Sequence, residues 1–431
     1  MKTGTQIQEN IKTNISEIIN LFLKVRKQTN DICHPLLIED YTIQPIIDVS
    51  PPKWHLAHTT WFFENFVLIP SKKNYRAFNP GYNYLFNSYY ESVGERILRA
   101  NRGYLSRPTI EDIYNYRMYV NENLLDFLNS NGLITTKILK IIELGINHEQ
   151  QHQELLLMDI KYILGTNPLF PAFLNSENTN EHPPEKPIEN YLDMAEGIYE
   201  IGYSGNEFSY DNEKEKHKVY LNSFRYLDRL ITNQEYLEFI EAKGYEDFSF
   251  WLQEGWEWIK LNNITSPLYW HYSQKQWHYY TLRGLKPLGY HDPVTHVSYY
   301  EADAFAKWKN KRLLTEFEWE VVAKELYKVI PENANFLEEG HYAPVPRKNY
   351  STQLFGDVWE WTSSAYLPYP GFKIAQGALG EYNGKFMINQ MILRGGSCAT
   401  PKNHIRFSYR NFFHPDKRWQ FSGIRLAENL K

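Results

Sequence analysis

Apolar residues over the first 170 positions recur at helical spacing. Ile11, Ile15, Ile18, Ile19 and Phe22 mark one face of a first helix, which the polar run Thr29-Asn30-Asp31 is expected to end. A second helix starts at Ser50-Pro51-Pro52, where serine reads as the N-cap and proline fits the first turn, and it continues through WHLAHTTWFFENFVL. Positions 110–130 and 135–164 carry the third and fourth. Four long helices in succession predict an up-down bundle, in which sites form between facing helices.

The pattern then changes. Positions 175–190, NSENTNEHPPEKPIEN, are polar, contain three prolines and have no hydrophobic period, so they read as a linker. Beyond them come short strand-like runs, many glycines and aromatic pairs, with helical periods at 233–242 and 300–310. The expected organisation is a multidomain α and α+β chain: a bundle at 1–174, the linker at 175–190 and a loop-rich α+β domain at 191–431.

Composition narrows the function classes. A formal net charge of −5 with no long basic run argues against a nucleic-acid partner, and no apolar stretch reaches membrane-spanning length. The polar N-terminus does not read as a signal peptide. Two cysteines, Cys33 and Cys398, stand far apart, which excludes a disulfide framework and suits a reducing cytoplasm. Tyr, Phe and Trp are abundant at 33, 24 and 12, but a well-packed core accounts for that count without any binding role.

The chemistry-bearing signal is in the histidines. His148 and His152, in His148-Glu149-Gln150-Gln151-His152, lie one helical turn apart on one face, where one metal ion can accept both. A third ligand is expected from the second helix, where His58 leads and His55 competes, because an imidazole on an apolar, aromatic helix must find a partner. The same spacing satisfies the zinc-peptidase pattern with Glu149 as general base, although the metzincin continuation after His152 is missing. Three neutral histidines leave open positions suited to Fe(II), two substrates and O2, yet zinc also binds three histidines, so spacing alone does not choose the metal.

Taken together the motifs resemble a known family. The bundle resembles DinB-type domains with a three-histidine iron site. The C-terminal part resembles the formylglycine-generating-enzyme (FGE-sulfatase, sulfatase-modifying factor) fold, related to C-type lectins. The residues that carry this are His291-Asp292-Pro293-Val294, Arg312-Leu313-Leu314-Thr315-Glu316-Phe317-Glu318-Trp319-Glu320, Gly356-Asp357-Val358-Trp359-Glu360-Trp361-Thr362, Leu393-Arg394-Gly395-Gly396-Ser397 and Gly423-Ile424-Arg425-Leu426-Ala427. Both domains in this order form the architecture of the ergothioneine-type sulfoxide synthases. Formylglycine-generating activity itself needs two cysteines near the C-terminus, and Cys398 is alone there.

The resemblance implies Fe(II) on His58, His148 and His152, with Gln151 and Asn411 binding hercynine (Nα-trimethylhistidine). Members using γ-glutamylcysteine carry an acidic residue and a later arginine after the C-terminal Arg-Asn. Here the stretch is Arg410-Asn411-Phe412-Phe413, with phenylalanine in the acid's place, so free cysteine is the implied donor, Asp416 being the nearest competing acid. Phe412 and Phe413 are accordingly candidate substrate residues. Arg99 and Arg102 are candidates for the cysteine carboxylate, against the plainer reading that they pair with Glu91 or Glu95. Tyr89 and Tyr90 are the proposed proton source for O2 chemistry. The implied reaction is O2-dependent joining of cysteine sulfur to the hercynine imidazole as a sulfoxide. The rival readings are a selenium- or ovothiol-forming homologue, a zinc hydrolase, and a non-catalytic ligand-binding protein on the lectin-like fold.

Overall fold

Helical periodicity becomes four long helices in a computed structural model, which describes residues 4–130, 134–175, 188–347, 351–375, 380 and 383–430. The expected linker lies mostly outside the described residues. Two compact units are distinguished, one built on 1–166 and the other on 167–375 and 382–431.

In the first unit α1 spans Gly4–Cys33, α2 Pro52–Phe63, α3 Ile110–Asn129 and α4 Thr136–Gly165. Helix α2 packs on both α3 and α4, and α4 also packs on α1. Every residue of α2 is buried. Its C-terminal end runs on as a π-helical turn over Glu64–Leu68. The ends of α3 and α4 follow from their sequence: Thr109 and Thr135 accept the N3 backbone N–H groups, and Asp112 completes a capping box with Thr109.

Two expectations about helix ends need correction. Helix α1 does not stop at Thr29-Asn30-Asp31. Thr29 Oγ donates to the Val25 carbonyl and to Glu149, and Asn30 Oδ1 accepts from Arg117, so residues that usually break a helix are held by tertiary partners. Ser50 is not the cap of α2 either; Pro51 holds that position without a side-chain bond, while the Ser50 N–H donates to Asp159.

In the second unit the strands are β1 Tyr191–Met194, β2 Gly197–Ile201, β3 His217–Leu221, β4 Phe224–Leu227, β5 Trp270–Ser273, β6 Gln276–Thr281 and β7 Gly284–Pro287. They continue with β8 Arg312–Leu313, β9 Trp359–Ala365, β10 Met391–Arg394, β11 Asn411–Phe413, β12 Ser422–Gly423 and β13 Leu426–Asn429. The sheets run β1-β4-β13-β8, β11-β10-β9-β12, β5-β6-β7 and the hairpin β2-β3. Helices α5 (Asn233–Glu241) and α7 (Tyr299–Trp308) fall where the period placed them, and the structure adds α6 (Gln253–Leu261) and α8 (Glu316–Leu326). Three of these four begin with the same signature: Thr232 with Glu235, Ser298 with Glu301 and Thr315 with Glu318 form capping boxes.

The motifs of this unit close on one another as a buried ion network. Arg394 reaches Glu320 at 2.7 Å and Glu316 at 3.4 Å, one turn apart on α8, and Arg410 forks onto Glu316 at 2.8 and 2.9 Å. Arg425 forks onto Glu360, which also accepts from the Trp319 indole. In the β9–β10 ladder Arg394 pairs with Glu360 and Leu393 with Trp361. The turn after Arg394 must be glycine: Gly395 has φ +101°, and a Cβ there would stand 2.5 Å from the Leu354 carbonyl oxygen.

Candidate metal centre

The repeat Trp54, His58, Trp61 is the spacing of one helix face, i, i+4, i+7. All three side chains act on the short helix Tyr82–Phe86. The Trp54 indole donates to the Leu85 carbonyl at 3.2 Å, His58 Nδ1 to the Phe86 carbonyl at 2.6 Å, and the Trp61 indole to Asn83 at 2.9 Å. Carbonyls at a helix C-terminus lack intrahelical partners, so Trp54 and His58 satisfy those of Leu85 and Phe86, while Trp61 holds the Asn83 side chain. The bond to Phe86 also fixes the His58 tautomer. With the proton on Nδ1, the Nε2 lone pair is left to bind a metal.

That Nε2 lies 3.2 Å from His148 Nε2, and the donor atoms of His58, His148 and His152 all stand within 4.8 Å of one another. Among the described residues this is the set of histidine, cysteine or carboxylate side chains gathered closely enough for one ion. Burial pulls all three imidazoles below the ordinary histidine range, His148 to about 3, with mutual repulsion adding to the effect at His58 and His152. They are therefore neutral near pH 7, the form that ligates. Three neutral nitrogens around one point fit a borderline divalent ion such as Fe(II) or Zn(II).

His55 is not a fourth member of this set. Its Nε2 is 2.9 Å from Asp159 Oδ2 and its Nδ1 is 2.8 Å from His152 Nδ1, so it stands behind His152. Asp159 follows His152 by seven residues, two turns along the same face of α4. That spacing is present in the sequence and could have singled it out.

Glu149 has a different role from the one the zinc-peptidase pattern gives it. Arg26 donates to its Oε2 at 2.9 Å, and Thr29, at 2.7 Å, and Arg117 donate to its Oε1, all buried. Burial pushes its pKa up, but the Arg117 and Arg26 guanidiniums outweigh this and hold it at about 2. A carboxylate locked between two arginines is no general base at neutral pH. The hydrolase reading loses its catalytic group.

The remaining sequence candidates fall into two sets. In the first unit Tyr89 and Tyr90 stack at 4.7 Å, and the fully buried Tyr90 ring packs on Trp61 and Phe66, Trp61 itself lying parallel to His58. Arg102 is buried with its guanidinium carbon 3.4 Å from the Trp54 ring centre, and it donates to Ser50 and Ser88. Trp54 in turn stacks on His58 at 4.5 Å. Burial first, then repulsion from Arg99, draws Arg102 well below an ordinary arginine, with Asp159 opposing. Arg99 lies at the surface and donates to the Asp48 carbonyl, while Glu91 pairs with Arg96. Gln151 is half-buried on α4.

Asn411, Phe412 and Phe413 stand on β11 of the second unit. Phe412 stacks on Tyr366 at 4.1 Å, and Phe413 meets Trp419 edge-on at 5.3 Å. Sequence reasoning missed Arg26, Arg117 and Asp159, polar residues whose partners lie on other helices or two turns away.

Residues 177–430 match the sulfatase-modifying factor enzyme 1-like domain, and residues 21–156 match the DinB superfamily. The hercynine oxygenase of Mycolicibacterium thermoresistibile is 30% identical over 65% of this chain and 67% of its own length. That of Mycobacterium tuberculosis is 31% identical over 67% and 72%. The ergothioneine biosynthesis protein 1 of Schizosaccharomyces pombe is 27% identical over 52% of this chain and 28% of its own. The histidine cluster falls inside the DinB match and the arginine–glutamate network inside the other, and by descent this chain belongs to the hercynine oxygenase family.

Proposed function

We propose that the chain is an iron-dependent oxidoreductase of ergothioneine biosynthesis that joins the sulfur of free cysteine to the imidazole carbon of hercynine. The product is hercynylcysteine sulfoxide. The observation that carries this is the cluster His58, His148 and His152, neutral and buried, in a member of the hercynine oxygenase family. Atoms balance with O2 as oxidant: one C–H and one S–H bond are lost, one oxygen atom ends on sulfur and the other in water.

His58, His148 and His152 would hold Fe(II), which when bound would supply the electrons for oxygen activation. The protein's own groups do the rest. Arg102 is suited to the cysteine carboxylate, because its buried Nε has no partner among the described residues and its plane is fixed by Trp54, Ser50 and Ser88. Arg99, with its guanidinium at the surface, is the weaker of the two candidates. The Tyr89–Tyr90 pair supplies a proton as oxygen is reduced, from a phenol packed on the indole that lies along His58. Gln151, next to His152 on α4, is assigned to hercynine.

Cysteine is favoured over γ-glutamylcysteine by the state of the 411–418 stretch. Phe413 packs on Trp419, Asp416 is paired with Lys417, and Arg418 is committed to Glu301 and the Ser266 carbonyl. Neither a free acid nor a free cation remains in that stretch to receive a γ-glutamyl group.

The test is an incubation of the full chain with Fe(II), O2, hercynine and cysteine, followed by mass spectrometry. The two substrates should appear joined with one added oxygen atom. Parallel arms replace cysteine by γ-glutamylcysteine or a selenium donor, hercynine by histidine, and Fe(II) by Zn(II). Oxygen-independent turnover with Zn(II) would overturn the reading.

A further inference from the structure

We infer that Asp159 is a positioning residue which, acting through His55, sets the tautomer of His152 and so decides which nitrogen that ligand presents. The inference rests on the reading of the histidine cluster as an iron site. It concerns a part of that site that the three ligands alone do not explain.

A carboxylate only accepts hydrogen bonds. Asp159 Oδ2 faces two donors, the Ser50 N–H at 2.8 Å and His55 Nε2 at 2.9 Å, so His55 carries its proton on Nε2. A neutral imidazole protonated there has a bare Nδ1. That nitrogen lies 2.8 Å from His152 Nδ1, and a bond between two nitrogens needs one proton, which His152 must supply. His152 is then protonated on Nδ1 and keeps its Nε2 lone pair for the metal, as His58 does through Phe86.

The opposite chain, with the proton on His55 Nδ1, would set a bare His55 Nε2 against the Asp159 carboxylate, acceptor against acceptor. It would also place the His152 proton on the nitrogen meant for iron. All four groups are buried: Ser50 is 1%, Asp159 2%, His55 3% and His152 9% exposed, so water does not relieve a wrong arrangement.

The arrangement makes two substitutions at one position behave differently. In Asp159→Asn the amide oxygen can take the place of Oδ2 and accept from both Ser50 and His55, which keeps the direction of the chain. Asp159→Leu removes the acceptor altogether.

The tautomers are read by nitrogen-15 NMR of the histidines in the metal-free full chain, and affinity by anaerobic titration with Fe(II) alone against a competing chelator. Wild type should show His152 protonated on Nδ1. Asp159→Leu should lose that single tautomer and bind Fe(II) about 10–100-fold more weakly. Asp159→Asn should keep the tautomer and most of the affinity, while His58, held by a backbone carbonyl, is unchanged in all three. Should Asp159→Leu not fold, the wild-type spectrum and the asparagine variant still decide. A wild-type His152 protonated on Nε2, or wild-type Fe(II) affinity in folded Asp159→Leu, overturns the inference. If tautomer and affinity behave as expected but hercynine and cysteine are not joined, the functional reading fails and this inference stands.

Discussion

Each unit of the molecule buries a dense polar cluster, and the two clusters are built on opposite terms. In the second unit Arg394, Arg410 and Arg425 meet Glu316, Glu320 and Glu360 so that the carboxylates are forked or shared. In the first, three imidazoles are brought together uncharged, and their outward-facing nitrogens are held at His58 by Phe86 and at His152 by His55, leaving lone pairs aimed at a common point. A cluster that completes itself holds a fold together; one that stays incomplete on one side only is built to receive something. The contrast recurs within a single turn of α4, where His148 belongs to the second kind and Glu149, locked by Arg26 and Arg117, to the first.

The widest separation of the two is expected from a crossed pair of variants. His152→Ala should lower Fe(II) affinity by more than about 100-fold, beyond the range for outer-shell partners, and abolish turnover, with the second unit's unfolding unchanged. Arg394→Met should instead destabilise the second unit by about 3–5 kcal/mol, because it strips a buried partner from Glu320 and Glu316, and leave Fe(II) binding intact. Denaturant unfolding followed by tryptophan fluorescence, with metal titration alongside, reads both. The pH dependence has a definite sign. Arg394 and Lys324 hold the Glu320 carboxyl below its ordinary value against the upward push of burial. Its stabilisation is therefore present above the unfolded pKa of about 4.3 and is lost as pH falls through the depressed folded value. Glu320→Gln should flatten that acid slope. If Arg394→Met costs metal affinity as much as stability, the contrast between the clusters is wrong.

Next in size is the tyrosine pair. Tyr90→Phe or Tyr89→Phe, whichever removes the proton source, should lower kcat by about 100- to 10,000-fold with Fe(II) affinity unchanged, and a solvent isotope effect on the remaining rate should mark proton transfer as limiting. Wild-type kcat in both single variants would remove the pair from the mechanism. Arg102→Lys is a milder change, since it keeps the charge and loses the planar fork. A charge-assisted bond contributes about 1.5–3 kcal/mol, so KM for cysteine should rise by roughly 10–100-fold with kcat little altered. A rise in the KM for hercynine instead would move Arg102 to the other substrate.

How much of this was legible in the sequence depended on whether the signal was local. The bundle was readable because a helix face repeats every turn; the caps Thr109-Asp112 and Thr135 are equally local, but only Ser50 was read as a cap, and it is not one. The pairing of His148 with His152 was legible from the same helical repeat, and His58 stood out as an imidazole on an apolar helix. The role of Glu149 stayed open in the sequence because its partners, Arg26 and Arg117, are more than thirty residues away on two other helices. The α1 boundary failed for a related cause: Thr29 and Asn30 look like a stop until Glu149 and Arg117 occupy them. Helix α8 was hidden inside a motif read for its resemblance, although Thr315 and Glu318 carry the same capping signature as the helices that were found. Asp159 was a further local signal overlooked, two turns from His152.

The smallest effect expected concerns the thiol donor, and it tests whether a residue of the second unit bears on the choice of substrate at all. Phe413 is half-buried and its ring meets Trp419, while the neighbouring charges Asp416 and Arg418 are already paired. Phe413→Asp gives up an aromatic contact of about 0.5–1.5 kcal/mol and places a carboxylate where the family's γ-glutamyl-using members carry an acid. An ion pair in a partly solvated position contributes about 1 kcal/mol at most. The ratio of kcat/KM for γ-glutamylcysteine over cysteine should then rise by about fivefold, mostly through KM, with Fe(II) affinity the same as wild type. Because the change is in a ratio, a general loss of activity from the missing Phe413–Trp419 contact cancels. An unchanged ratio in folded Phe413→Asp would show that the donor is chosen elsewhere, leaving Arg102 in the bundle as the residue that reads the thiol.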